Sequence, residues 1–411
     1  GCDAHLWFIG DRDLAGHDAC NQLRLHRWCQ WISRTHPKGV YDGEESKEAS
    51  YASSLPPFLL QEVLLPHLHA GGRAVILAEE WHTIHAVRHL DWLLRQAQVR
   101  GQVIILWNAN HPQAFERIEW PQLAAAATLT TVSRSMKHHM QHLGVNPFVI
   151  PTGLAADALI MPEPDMVEAF RTHLRGRRVL STGVPWDTNQ HWALTLDVTG
   201  AMQRLGWQPR LIVVSDTETS AADVLAGAAT RGLRVVERTL SQSGVSDLLG
   251  ALADLQETDM VHLRTPLDPP SRRLLFRGSD AVLAYSAHAP CGLVGLETMA
   301  VGGVVCTGFS GADYAIPGRN ALVLETTDAW EFLGLFEALC AQPTQECTIR
   351  CAGRVTAQQY RWSEIMTHIL MPRLRFLATR VSPDNGSTLA PLDPLTASGL
   401  DASSRRMWRC L

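Results

Sequence analysis

A glycine-punctuated run in the second half of the chain has the residue types with the clearest chemistry. It reads Pro290-Cys-Gly-Leu-Val-Gly-Leu-Glu-Thr-Met-Ala-Val-Gly-Gly303, follows a strand predicted to end near Ala284, and opens a predicted helix near Gly292. Backbone N–H groups at a helix start are unsatisfied and lie at the positive end of the helix dipole, so they suit a phosphate. Glycine at this position lets the backbone approach a ligand closely.

Glu297 lies just over one turn into the same predicted helix. A carboxylate there can accept hydrogen bonds from two hydroxyl groups of a ribose, which together with the helix start would make a nucleotide site. The alternative interpretation is a strand–helix turn with a surface glutamate. These residues alone leave both interpretations open.

Other chemistry-bearing patterns are weaker. His82, His85 and His89 have a spacing that places them on one helix face and permits metal binding. Neither HExxH nor CxxC occurs, so no metal site is predicted. The nucleotide-binding loops GxGxxG and Walker A do not occur either.

Short apolar runs separated by helical patterns indicate the elements that must position these residues. The runs show little alternation, which is typical of parallel strands buried on both faces. The predicted strands are 5–9, 74–77, 103–106, 128–132, 179–182, 211–214, 233–236, 260–263, 281–284 and 303–306. Predicted helices include 192–205, 221–230, 330–340 and 350–377.

The alternation of strands and helices predicts an α/β fold with two doubly wound, Rossmann-like domains that face a central cleft. The expected divisions are an N-terminal domain (1–160), a second domain (161–350), C-terminal helices (351–380) and a disordered tail (381–411). The default ligand site is the cleft.

Composition excludes several classes of protein. The 411 residues carry a formal net charge of -5, with no basic excess, which argues against nucleic acid as a partner. No apolar run is long enough to span a membrane, although peripheral membrane contact stays open. Nine cysteines in an odd count, without a CxxC pair, favour a reducing cytoplasm. The oligomeric state is not predicted.

The chain opens almost at once into the strand-like run His5–Ile9, without an initiator Met or a signal peptide. We therefore expect upstream sequence that supplies one more strand, a glycine-containing turn and a helix.

The run from Pro290 to Gly303 resembles the donor-site signature of family-four retaining glycosyltransferases, which have the GT-B fold. A second block resembles the end of that family's N-terminal domain, and Glu80-Trp-His-Thr83 resembles its Asp-Trp-His-Thr element. The segments of this second block are Trp107–Asn110, Phe115–Trp120, Thr130–Arg134, Met136-Lys137, Gly144–Pro147 and Val149–Pro151. Ser310–Tyr314 and Gly318–Leu322 resemble the strand and turn that follow the family's donor-site signature. The resemblance makes 1–160 the acceptor-side domain and 161–350 the donor domain, with the helices of 351–380 returning toward the first domain. The similarity covers roughly residues 75–375.

The resemblance implies transfer of a hexosyl unit from a nucleoside-diphosphate sugar, with retention of configuration. The acceptor would be a sugar, a glycan or a lipid-linked molecule, and neither a metal nor a cofactor is implied. Glu297 would hold the ribose. The backbone of Gly292, Leu293 and Val294 would bind the diphosphate or the sugar, and Gly183 would also contact the donor.

The sequence departs from the family at its catalytic positions. The family usually places a second Glu near Glu297, where this chain has Ala289. It also places an Arg and a Lys after the first donor-domain strand, but no cation occurs between Arg178 and Arg204. Losing one such group can cost about 10²–10³ in rate. Arg264 and His111 are the predicted catalytic substitutes, with His191 and His288 as further candidates.

Three interpretations follow from this conflict. The leading one is a retaining glycosyltransferase. The second is a catalytically degenerate GT-B protein that binds a nucleotide, a glycan or a partner without efficient transfer. The third is a fragment whose parent has further acceptor-site residues.

Overall fold

The computed structural model describes residues 3–20, 22–39, 41–182, 192–214, 221–242, 244–255, 257–285, 292–308 and 311–380. The chain divides into two compact units. Unit 1 comprises Gly1–Val132, Met136–Val149 and Pro372–Leu411, and unit 2 comprises Ser133–Ser135 and Ile150–Met371.

Two sheets belong to unit 1. A small sheet has the order β1-β3-β2, in which β1 and β3 are parallel and β2 is antiparallel to β3. A second, fully parallel sheet has the sequential order β4-β5-β6-β7. The strands are β1 (Ala4–Ile9), β2 (His17–Cys20), β3 (Leu23–Trp28), β4 (Ala74–Glu79), β5 (Val103–Ala109), β6 (Thr128–Thr131) and β7 (Phe148–Val149).

Six α-helices occur among the described residues between 30 and 142. They are α1 (Gln30–Ser33), α2 (Glu44–Phe58), α3 (Leu65–His69), α4 (Ile84–Gln96), α5 (Trp120–Ala126) and α6 (Arg134–His142). One face of the four-stranded sheet packs against α4 and α5, so Val103, Ile105 and Trp107 on β5 are buried. On the other face of β4, Val75 and Leu77 are 44% and 61% exposed.

The sheet of unit 2 has seven strands in the order β10-β11-β9-β8-β12-β13-β14, and every adjacent pair is parallel. The strands are β8 (Arg178–Ser181), β9 (Pro209–Val214), β10 (Val235–Arg238), β11 (Met260–Leu263), β12 (Ala281–Leu283), β13 (Val305–Thr307) and β14 (Leu322–Val323).

The remaining helices occur from residue 164 onward. They are α7 (Pro164–His173), α8 (Trp192–Arg204), α9 (Ala221–Thr230), α10 (Val245–Ala251), α11 (Pro269–Gly278), α12 (Leu293–Ala300), α13 (Ala329–Cys340), α14 (Pro343–Gln359), α15 (Trp362–Ile365) and α16 (Met371–Arg380).

Both faces of this sheet are buried, as the non-alternating strands predict. Leu180 on β8 packs on the side of α8 and α13, whereas its neighbour Val179 packs on the side of α7 and α11. Successive side chains of a strand point to opposite faces, so each strand contributes to two cores. The α/β, Rossmann-like prediction is confirmed for this unit.

Three predicted elements differ most from those observed. The strand expected at 233–236 lies at Val235–Arg238. The strand expected at 303–306 begins at Val305 instead, because Gly302 has a φ of +68° and turns the chain at the end of α12. The single helix expected at 350–377 is interrupted near Arg361, which has an extended backbone and forms a β-bridge with Leu154.

Candidate functional site

The order of the seven strands reverses between β8 and β12. From β8 the chain builds outward through β9, whereas β12, β13 and β14 extend the sheet in the other direction. Ligands of open α/β sheets bind at the carboxyl ends of the strands at such a switch point. The helix that follows β12 at this point is α12, which contains Glu297.

Helix α12 starts as the sequence predicts. Gly292 is its N-cap residue and has a φ of +53°, a left-handed conformation that favours glycine. The first N–H that bonds within the helix is that of Gly295, which donates to the Gly292 carbonyl at 3.0 Å. The N–H groups of Leu293 and Val294 precede it, and they are the groups that a phosphate at this helix start would meet.

Tyr314 fixes this helix start from outside the helix. Its hydroxyl donates to the carbonyl oxygen of Gly292 at 2.7 Å, and the side chain is almost fully buried. A Cβ added to Gly295 would collide with the same hydroxyl. The first turn of α12 therefore depends on glycine at two positions and on one tyrosine.

Glu297 faces an arginine that the sequence did not single out. Arg272, on α11, donates from Nη2 to Oε1 of Glu297 at 3.0 Å. Burial raises the pKa of the Glu297 carboxyl, Arg272 lowers it, and the negative charge of Asp157 raises it further. The only sequence signal for Arg272 is its position in the first turn of a helix that opens with two prolines.

Arg264 follows β11 at the carboxyl edge of the sheet, as expected. Its Nη1 lies 3.5 Å from Oε2 of Glu237, and its side chain is 43% exposed. Strand β9 separates β11 from β8. Neighbouring strands are about 4.8 Å apart, so the end of β11 is about 10 Å from that of β8. A catalytic role for Arg264 stays a prediction.

His111 lies two residues beyond the end of β5 in unit 1. Its Nδ1 accepts the N–H of Gln113 at 3.1 Å. The neighbouring Asn110 N–H donates to Oε1 of Glu80 at 2.8 Å. A catalytic role for His111 stays a prediction too.

Glu80 has a strained backbone that the sequence did not reveal. Its φ of 66° and ψ of 164° fall in a region that is largely restricted to glycine, at a cost of about 1–3 kcal/mol. The indole of Trp107 and the hydroxyl of Thr83 both donate to its carbonyl, at 3.1 and 2.9 Å. Burial raises the pKa of its carboxyl, which the N–H groups of Asn110 and His111 oppose.

The three histidines with helical spacing do face one way, but they contact helix α2. His82 lies 2.8 Å from Glu44, His85 lies 3.7 Å from Glu48, and His89 contacts the carbonyl of Ala52 at 2.9 Å. The described part of the chain contains no group of three or more His, Cys, Asp or Glu side chains suited to a metal ion.

Several residues on which the predictions depend lie outside the described residues. They are Gly183, the cation-free positions 184–190, His191, His288 and Ala289. The predicted tail, 381–411, also lies outside them. Their predicted roles therefore stay predictions.

Comparison with known proteins supports the architecture. No family model matches the chain. A D-inositol 3-phosphate glycosyltransferase from Pseudarthrobacter chlorophenolicus is 32% identical over 126 residues. This match spans 30% of the present chain and 30% of the length of that curated relative.

Solved structures match over most of the chain. A sucrose-phosphate synthase from Thermosynechococcus elongatus has a TM-score of 0.64 at 14% identity, covering 92% of this chain and 90% of that one. An α,α-trehalose-6-phosphate synthase from Burkholderia multivorans has a TM-score of 0.61 at 12% identity, covering 92% of both chains. HepE from Anabaena, solved with UDP, has a TM-score of 0.58 at 13% identity, covering 85% and 91%.

These similarities define the class of fold. The chain has the GT-B fold with Rossmann-like units, and its predicted resemblance to glycosyltransferases is confirmed. Among the described residues, every helix is too short or too polar to cross a membrane.

Proposed function

We propose that this chain is a glycosyltransferase that transfers a hexosyl unit from a nucleoside-diphosphate sugar, with retention of configuration. The observation that carries the proposal is the start of α12 at the switch point of the sheet. There, the N–H groups of Leu293 and Val294 precede the first bonded N–H, and Glu297 lies one turn further on. This arrangement suits a diphosphate next to a ribose.

The chemistry of transfer places negative charge on the leaving diphosphate and positive character on the sugar. Backbone N–H groups that are already oriented stabilise such negative charge without reorganising. The ribose contact of Glu297 is distant from the bond that breaks, so it serves binding rather than the chemical step.

The similar proteins support the choice of donor. HepE has been solved with UDP and with UDP-glucose, and the other two solved relatives are named as sugar-phosphate synthases. We therefore take UDP as the first probe, and a sugar, glycan or lipid-linked molecule as the acceptor. The reaction is proposed for the cytoplasm, in keeping with the free thiols of all described cysteines.

A second candidate is favoured by Ala289 and by the absence of Lys and Arg between Arg178 and Arg204. In that case the chain binds the nucleotide sugar, or a glycan or partner, without efficient transfer. Binding and transfer therefore have to be measured separately.

The test is calorimetric titration of UDP into the wild type, Glu297→Ala and Glu168→Ala. Glu168 is an exposed glutamate on α7 and serves as the matched control. Each hydrogen bond to a charged acceptor is worth about 1.5–3 kcal/mol, so Glu297→Ala should bind UDP at least about 10-fold more weakly. Equal affinity of all three proteins would contradict the proposed site.

A donor-hydrolysis screen over nucleoside-diphosphate sugars separates the two candidates. Turnover by the wild type supports the transferase. Binding without detectable turnover supports the degenerate binding protein.

A further inference from the structure

The ion pair between Arg272 and Glu297 engages only one of the two oxygens of the glutamate carboxylate. Oε1 of Glu297 is engaged by Arg272, while within the described ranges its Oε2 accepts no hydrogen bond. The Glu297 side chain is only 15% exposed, whereas that of Arg272 is 43% exposed. The arginine thus holds one oxygen of a nearly buried carboxylate and leaves the other to a ligand.

Among the charged side chains around Glu297, Arg272 has the largest effect on the ionisation of its carboxyl group. Helix α11 contributes Arg272, and the neighbouring turn Ala156–Leu159 contributes Asp157, whose negative charge opposes ionisation of Glu297. Arg273 lies 3.9 Å from Asp157 and offsets that charge. Arg350 and Arg354 on α14 lie beside Gly302, at the opposite end of α12.

Without Arg272, burial and Asp157 would act together against the ionised form of Glu297. A protonated carboxyl group has one oxygen that donates, and it loses the charge that strengthens its bonds to hydroxyl groups. The ability of Glu297 to hold a ribose therefore depends on its neighbour.

We propose that Arg272 is a positioning residue that keeps Glu297 ionised, directs Oε2 toward the ribose, and thereby sets the pH below which the site releases its nucleotide. This inference rests on the proposed function and adds a form of regulation to the same site.

The test measures the affinity for UDP between pH 5 and pH 9. The proteins are the wild type, Arg272→Met, Arg272→Lys and the control Arg175→Met, which replaces an exposed arginine beyond α7. An opposite charge at this distance shifts a carboxyl pKa by about 1–3 units. In Arg272→Met the loss of affinity should therefore begin about 1–3 pH units higher than in the wild type and be reversed at high pH. Arg272→Lys should restore most of the wild-type profile.

A ligand-free measurement keeps this inference separate from the proposed function. The carboxyl carbon resonance of Glu297, identified by its absence in Glu297→Gln, can be titrated by NMR with glutamate labelled at that carbon. Its midpoint should move upward in Arg272→Met and stay unchanged in Arg175→Met. An unchanged midpoint would overturn the role of Arg272. So would a UDP affinity that Arg272→Met reduces by the same factor at every pH. Absence of UDP binding by the wild type, with the NMR shift present, would instead reject the proposed function.

Discussion

Tyr314 and Gly292 are joined by a hydrogen bond in which the tyrosine hydroxyl donates to the glycine carbonyl at 2.7 Å. Gly292 is the residue whose left-handed backbone lets α12 begin at the switch point. One buried hydroxyl, more than twenty residues further along the chain, therefore determines where the N–H groups of the helix start are directed.

Tyr314→Phe should weaken nucleotide binding as well as stability. The change removes the tyrosine donor from the Gly292 carbonyl, which still accepts the N–H of Gly295. The expected cost is therefore about 0.5–1.5 kcal/mol, the net contribution of one hydrogen bond. The matched control is Tyr360→Phe, because Tyr360 is also buried and donates to a carbonyl, that of Asp313, at 3.1 Å. Chemical denaturation should show similar losses for both variants. Calorimetry with UDP should show weaker binding for Tyr314→Phe alone, and an equal effect of both variants on affinity would refute this prediction.

Gly295→Ala should destabilise the protein. The new methyl group would meet the Tyr314 hydroxyl, and overpacking of this kind costs about 1–3 kcal/mol. Gly334→Ala is the control, because Gly334 is also within a helix, α13, and its added Cβ would meet no atom within 4 Å. That variant should gain about 0.5–1 kcal/mol from the better helix propensity of alanine. Thermal unfolding measures the difference in stability between the two variants. Equal stability would show that the residues around Gly295 rearrange to accept the methyl group.

Glu297→Gln should stabilise the ligand-free protein at neutral pH. The pKa of this carboxyl is raised in the folded protein, mainly by burial, so folding is favoured below its ordinary pKa and loses stability as the pH rises through the raised value. Removing the charge should increase the free energy of unfolding by about 0.5–2 kcal/mol at pH 7, which is typical of a stabilising substitution at a functional site. The increase should be much smaller near pH 4. Denaturation of wild type and variant at both pH values tests this. A variant that is less stable at pH 7 would mean that the ion pair with Arg272 outweighs the cost of burial.

The small sheet of unit 1 should loosen in mild acid. His26 on β3 lies opposite Trp7 and His17, its ring stacks on Trp7 with centroids 3.8 Å apart, and its two nitrogens each lie 2.9 Å from a nitrogen of His5 or His17. Burial, then the charges of His5, His17 and Arg24, lower the pKa of His26. The unfolded chain therefore binds the proton more readily, and stability falls as the pH drops below about 6.5.

His26→Phe retains the stacking and removes this titration. Its unfolding temperature should fall less than that of the wild type between pH 7.5 and pH 5.5, by a modest margin because the cluster is partly solvated. His138→Phe, at an exposed position on α6, should behave like the wild type. If His26→Phe and the wild type lose stability equally in acid, protonation of His26 does not cause the loss.

The sequence predicted the strands of unit 2 well because each strand is marked by a run of apolar residues that are neighbours in the sequence. The run Leu211–Val214, for example, is apolar on both faces, and this pattern occurs where helices cover a sheet on both sides. Strands β2 and β3 were missed because they contain polar residues such as His17 and Arg24, and their pairing depends on one another rather than on a buried run.

The same distinction applies to the site. The start of α12 was predicted from Gly292 and Glu297, because glycine and helix geometry are properties of neighbouring residues. Arg272 was not, because its meeting with Glu297 depends on how α11 packs against α12, which no local pattern encodes. The strained backbone of Glu80 was not predicted for a similar reason, since two of its hydrogen-bond partners are distant in sequence: Trp107 on the neighbouring strand and Asn110 just beyond that strand.

The open side of β4 has a consequence for how the protein behaves at high concentration. Within the described residues, β4 pairs with β5 alone, and one face of β4 presents Val75 and Leu77 to solvent. A strand that is apolar on its exposed face and unpaired along one side is a template on which another extended chain can add by backbone hydrogen bonds. The unpaired edge of β4 is therefore expected to promote self-association at high protein concentration, whatever the stability of the fold.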